Sequence, residues 1–113
     1  MIDIPKMFEG LNVAIVAADA DYKVIFQNEK FRKLFERVYG RSDYIGSDIR
    51  EFHKAETNEK IESYFEEYTE QKRNLNYYVR DTPGGKITVV NVPFYDAGEF
   101  GGVVEFIYES SLA

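Results

Sequence analysis

From Ile87 to Tyr108 the chain carries two runs rich in β-branched and aromatic residues, with Asp96-Ala97-Gly98-Glu99 between them. Such residues suit a pleated, half-buried surface, and Gly supplies positive φ at low cost, so the stretch predicts a long antiparallel hairpin. Both of its faces are apolar. One face holds Thr88, Val90, Val92 and Phe94 with Val104, Phe106 and Tyr108; the other holds Ile87, Val89 and Asn91 with Val103, Glu105 and Ile107. A sheet with one wet face alternates apolar with polar positions, so the absence of alternation predicts a sheet covered on both sides. In the second set Asn91 and Glu105 are the polar interruptions, and cross-strand pairing would bring them together.

Elsewhere the spacing predicts a short N-terminal helix within residues 1–11, with Ile4, Met7, Phe8 and Leu11 on one face. Strands over 12–18 and 22–27 flank an Asp19-Ala20-Asp21 turn. Asn28 is a suitable N-cap for a helix bearing Phe31, Leu34, Phe35 and Val38, which Gly40 would end in a left-handed cap. Ser47 or Asp48 caps a further turn of helix through Phe52. The longest helix is expected from Ala55 to Asn74, with Ile61, Tyr64, Phe65 and Tyr68 inward and an acidic opposite face. A strand over 75–80, a turn at 81–85 and a polar tail from residue 110 complete the order. Two strands, helices, then three strands predict one α+β domain over residues 1–113, with 1–11 as a flanking helix and 12–109 as the core.

Composition narrows the function classes. The 113 residues suit a single core, and a net charge of −6 lacks the basic patch that a nucleic acid or an anionic membrane would need. No Cys is present, which excludes disulfides, thiolate metal sites and a Cys nucleophile. No apolar run approaches the ~20 residues of a membrane span, and no basic-then-apolar leader is visible at the N-terminus; a cytoplasmic location is the expectation.

The order of elements resembles the PAS domain, and particular residues carry the likeness. Asn28-Glu29-Lys30-Phe31 looks like that family's Asn-x-x-Phe at a helix start. Gly46 looks like the Gly opening its next helical turn. Pro93, Asp96, Gly98 and Gly102 look like its pattern between the last two strands. The resemblance covers residues 7–109 and implies a five-stranded antiparallel sheet with helices on one face. It also implies that Ile87, Val89, Asn91, Val103, Glu105 and Ile107 face inward, where hydrophobicity alone would choose the other set. The greasier outer set then needs a cover, either the N-terminal helix or a second subunit.

The resemblance makes Asn91, Glu105, Tyr77, Ile61, Phe65, Val89 and Ile107 the candidate ligand-binding residues. A buried carboxylate without a partner is costly, and a ligand amine, amide or ring N–H would satisfy it; the plainer alternative is that Glu105 bonds Asn91, Tyr77 or a water. Haem-binding PAS sensors carry a His where this chain has Ile61, which argues against that haem site, and His53 is the single histidine left. Flavin photochemistry of the light-sensing type needs a Cys and is excluded. The leading expectation is a non-enzymatic sensory domain that binds a small molecule or a partner and dimerises through the N-terminal helix and outer sheet face. A ligand-free dimerisation module is the alternative. A small cone-shaped α+β isomerase or hydratase using Glu105 as base is the third reading.

Overall fold

The computed structural model describes residues 2–110; the expected tail beyond residue 110 lies outside the described residues. The order is α1 (Ile4–Glu9), β1 (Ala14–Asp19), β2 (Val24–Gln27), α2 (Glu29–Tyr39), a 3-10 turn (Ile49–Phe52), α3 (Ala55–Thr69), β3 (Asn76–Thr82), β4 (Gly85–Asp96) and β5 (Glu99–Tyr108). The strands form one antiparallel sheet in the order β2-β1-β5-β4-β3, as the α+β expectation required.

Local chemistry explains where each element stops. Asp3 caps α1 and Pro5 sits in its first turn, where no amide is needed. At the first hairpin Asp19 Oδ1 accepts from the amides of Asp21 and Lys23, at 2.9 and 3.0 Å. Tyr22 there has φ 69°, so β2 starts at Val24 and not at the expected Tyr22. Gly40, at φ 74°, ends α2 as expected. Helix α3 stops at Thr69, five residues before the expected Asn74. Gln71 adopts φ 58°, and the amides of Glu70, Gln71 and Lys72 return to the carbonyls of Glu66, Tyr68 and Glu67.

The β3–β4 turn is tighter than expected. Thr82 pairs with Gly85, leaving Pro83-Gly84 as a two-residue loop, so β3 runs on to Thr82. The β4–β5 loop is Ala97-Gly98, with φ 51° and 83°, the backbone of a twist-matched hairpin turn.

Helices α2 and α3 pack on one sheet face and form two buried clusters. Phe31, Leu34 and Tyr44 meet Ala14, Ile87, Val89 and Ile107; Phe65 and Tyr68 meet Ala18 and Val103. The inward set is therefore the one the resemblance implied. On the outer face Val90, Val92, Phe94, Val104 and Phe106 stay half-buried, and no residue of α1 is buried.

Candidate functional site

Between the sheet and the α2, 3-10 turn and α3 layer lies a cavity of about 340 Å³, within the size range of small-molecule sites. Its walls are mainly apolar: Phe31, Leu34 and Phe35 from α2, Ile49 and Phe52 from the turn, Ile61 from α3, and Val89 and Ile107 from the sheet. Phe31 and Phe35 stack at 4.1 Å between ring centroids, and Tyr44 meets both edge-on. Polar groups enter at few points, among them Glu105, Arg80, Tyr78 and His53.

Glu105 is the charged group set deepest in protein. It pairs with Asn91 across β4 and β5, and Asn91 Nδ2 donates to its Oε1 at 3.3 Å. Asn91 is itself held by the Tyr68 hydroxyl, which donates to Asn91 Oδ1 at 2.8 Å. The Tyr68 carbonyl accepts from the Tyr95 hydroxyl at 2.8 Å. The carboxylate is thus oriented by a chain of bonds reaching from the cavity to α3 and the last hairpin. Glu105 keeps some accessible surface because it faces the cavity, while protein surrounds it. Burial pushes its carboxyl above the ordinary glutamate range; the charge of His53, the Asn91 bond and Arg80 oppose that. Burial, reinforced by Glu105, also pushes the Tyr78 hydroxyl up to about 12.

A raised carboxyl pKa fixes a sign. Unfolded, such a group titrates near 4.5. As pH rises through that value and then through the folded one, ionising the buried carboxyl costs stability. Without ligand, Glu105→Gln is expected to be more stable than wild type at neutral pH, with the gap closing as pH falls through the raised folded value toward 4.5. Urea midpoints across that window measure it; a variant less stable at neutral pH would contradict the burial argument.

Of the seven candidate residues, Ile61, Val89, Glu105 and Ile107 line this cavity. Asn91 stands behind Glu105 as its hydrogen-bond donor. Phe65 belongs to the second cluster, stacked on Tyr22 at 4.4 Å between centroids. Tyr77 is on the opposite face and 63% exposed. The two-residue turn accounts for this: it sets Tyr77 against Val90 and Tyr78 against Val89, so Tyr78 is the inward residue. Neither Arg80 nor His53 is in the ligand-binding set read from the sequence, where His53 enters only as an unusual axial haem ligand or an exposed, capping histidine. Arg80 shares the inward parity of Tyr78, a signal readable once the turn is placed. His53 reaches the cavity wall from the end of the 3-10 turn, and its Nδ1 is 2.7 Å from the Ile49 carbonyl. Ile61 stands where the resemblance placed an iron ligand, and an alkyl side chain offers no donor. Among the described residues no group of three or more His, Cys, Asp or Glu is placed to hold a metal ion. No helix among them is long and apolar enough to cross a membrane.

A family profile described as PAS domain matches residues 4–109. The chain belongs to the PAS family. Among solved structures it is similar to a PAS domain from Colwellia psychrerythraea, with 20% identity over 97% of this chain and 96% of that one and a TM-score of 0.68. It is similar to a sensory box sensor histidine kinase from Vibrio cholerae, with 13% identity over 97% and 90% of the two chains and a TM-score of 0.63. A third is the PAS domain, in complex with ethanol, of a LuxR-family transcriptional regulator from Burkholderia thailandensis: 18% identity, 97% and 100% coverage, TM-score 0.66. No curated protein matches the chain. Membership supports a signalling or sensory role, and the PAS sheet order replaces the cone-shaped isomerase as the architecture around Glu105.

Proposed function

We propose that this PAS domain is a sensory input module whose core cavity holds a small molecule. Occupancy would shift the sheet, and the shift would pass to an attached output domain or to a second copy. The observation that carries this reading is the Glu105 carboxyl, desolvated, held at one oxygen by Asn91 and turned into a cavity of about 340 Å³. Leaving such a group unsatisfied costs free energy that a bound donor recovers. The ethanol complex of the Burkholderia domain and the sensor-kinase setting of the Vibrio domain support it by analogy. We assign no catalysis to the domain and place it in the cytoplasm.

The partner surface follows from exposure. Ile4, Met7, Phe8 and Leu11 of the N-terminal segment are all exposed, and Tyr77 and Tyr108 add to the outer sheet face. Burying them against a second copy would remove more apolar surface than a monomer ordinarily leaves in water. Native mass spectrometry of freshly purified protein tests both parts of the proposal. A small-molecule mass released on denaturation and a dimer that Phe8→Asp converts to monomer are expected. No releasable mass would favour the ligand-free interaction module; monomers for both proteins at high concentration would remove the dimer.

A further inference from the structure

Glu105 and Arg80 face the same cavity and do not meet. Among the described residues neither takes part in an ion pair. Glu105 accepts from Asn91, and Arg80 donates to the Tyr39 hydroxyl beside Tyr78. The register sets their separation. Glu105 pairs with Asn91, Asn91 pairs with Asn76, and Arg80 lies four residues further along β3. Two strand spacings across and four residues along put their backbone positions about 17 Å apart. The sheet between them presents Val89, Ile107 and Tyr78, whose hydroxyl lies toward Arg80, and the helical side presents aromatic rings.

A cavity with an acid toward one end, a guanidinium beside Tyr78 toward the other and mainly apolar walls between selects its occupant. A wholly apolar molecule leaves the Glu105 carboxyl desolvated with Asn91 as its one donor, and gives Arg80 no counter-charge. A cation is repelled by Arg80, and a molecule anionic at both ends is repelled by Glu105. What satisfies both ends is a neutral O–H or N–H donor for Glu105, an anionic group for the planar fork of Arg80, and a flat ring to fill the walls. Resting on the reading that this cavity holds a small molecule, the geometry points to an aromatic carboxylic acid with a hydrogen-bond donor on the far side of its ring. It lies lengthwise, with its carboxylate on Arg80 and its donor on Glu105.

The test uses three probes titrated into the whole chain by calorimetry: para-hydroxyphenylpropionate, phenylpropionate without the donor, and para-ethylphenol without the acid. Wild type is expected to bind the first about tenfold or more tightly than either trimmed probe, the ratio typical of one charge-assisted hydrogen bond. Glu105→Leu should erase the gain from the hydroxyl and leave the gain from the carboxylate. Arg80→Met should do the reverse. Glu105→Gln keeps side-chain volume and polarity and, should the leucine variant not fold, is expected to reduce the hydroxyl gain. Equal affinities for the three probes, or variants that weaken all probes alike, would overturn the ligand class. If para-ethylphenol binds and the acids do not, the class falls and the sensory cavity stands. If no probe binds and no small molecule is released from the purified protein, both fall.

Discussion

Gly102→Ala is expected to lower the unfolding free energy by about 3 kcal/mol or more, a large share of the total for a domain of this size. Gly102 lies in β5 opposite Asp19, with φ +148°. A Cβ built there would stand 2.1 Å from the Ala18 carbonyl oxygen and 2.8 Å from Asp19 Cα. Both atoms are backbone of β1, which β2 braces from its other edge, so neither can move away cheaply. The neighbouring position supplies the control. At Gly101 the added atom would meet the Phe94 ring at 2.7 Å, and a side chain can swing aside. At Gly98, φ +83°, it would meet nothing within 4 Å, so only local strain of about 1 kcal/mol remains. Denaturant titrations of the three alanine variants should therefore single out Gly102. A Gly102→Ala loss no larger than that of Gly98→Ala would show that β1 gives way.

Asn28→Ala should rank beside it, at about 3 kcal/mol. Asn28 is fully buried and does more than cap α2. Its Oδ1 accepts from the amides of Phe31 and Ile15, at 3.0 and 2.9 Å. Its Nδ2 donates to the carbonyls of Val13 and Phe8, at 2.8 and 3.1 Å. One side chain thus fastens the start of α2 to β1 and to the end of α1. Alanine would strand buried donors and acceptors from three segments at once. Asn28→Ser keeps a cap oxygen and loses the amide, so about half the cost should return. Chemical denaturation gives the sizes, and amide exchange at Ile15 and Phe31 gives the cause. Unchanged protection of Ile15 in the alanine variant would refute the link.

What was legible in the sequence follows from how each signal is encoded. The Asn28 cap, the Gly40 stop, the Asp96–Glu99 turn and the apolar faces of α2 and α3 are local, and the structure has them where residue type and spacing put them. The pairing of Asn91 with Glu105 followed from the parity of one hairpin. The inward face did not. Hydrophobicity favoured the set with Val90, Val92 and Phe94, and only the resemblance to PAS domains chose Val89, Glu105 and Ile107. Tyr77 shows how narrow the margin is. A loop spanning 81–85 would put Arg80 opposite Lys86 and turn Tyr77 inward; the actual Pro83-Gly84 turn shifts the pairing by one residue and exchanges Tyr77 for Tyr78. Arg80 was lost to the same shift. His53 reaches the cavity through a tertiary turn that no sequence period encodes, and the end of α3 depended on a left-handed Gln71 that nothing in its neighbourhood demands.

The position of β5 also governs how the chain can assemble. Among the described residues it is the last strand in chain order, and it lies in the middle of the sheet, between β1 and β4. Before β5 is available, the chain can form two separate hairpins, β1–β2 and β3–β4, and isolated two-stranded hairpins are marginal in water. Neither half has its permanent neighbour until β5 inserts between them and pairs on both sides. Folding is therefore concentrated into one late, long-range closure, which is slow relative to local pairing. A nascent chain stalled short of Glu99 presents the edges of β1 and β4 unpaired, with Val89 and Val92 on one of them: the segment where mispairing between copies would begin.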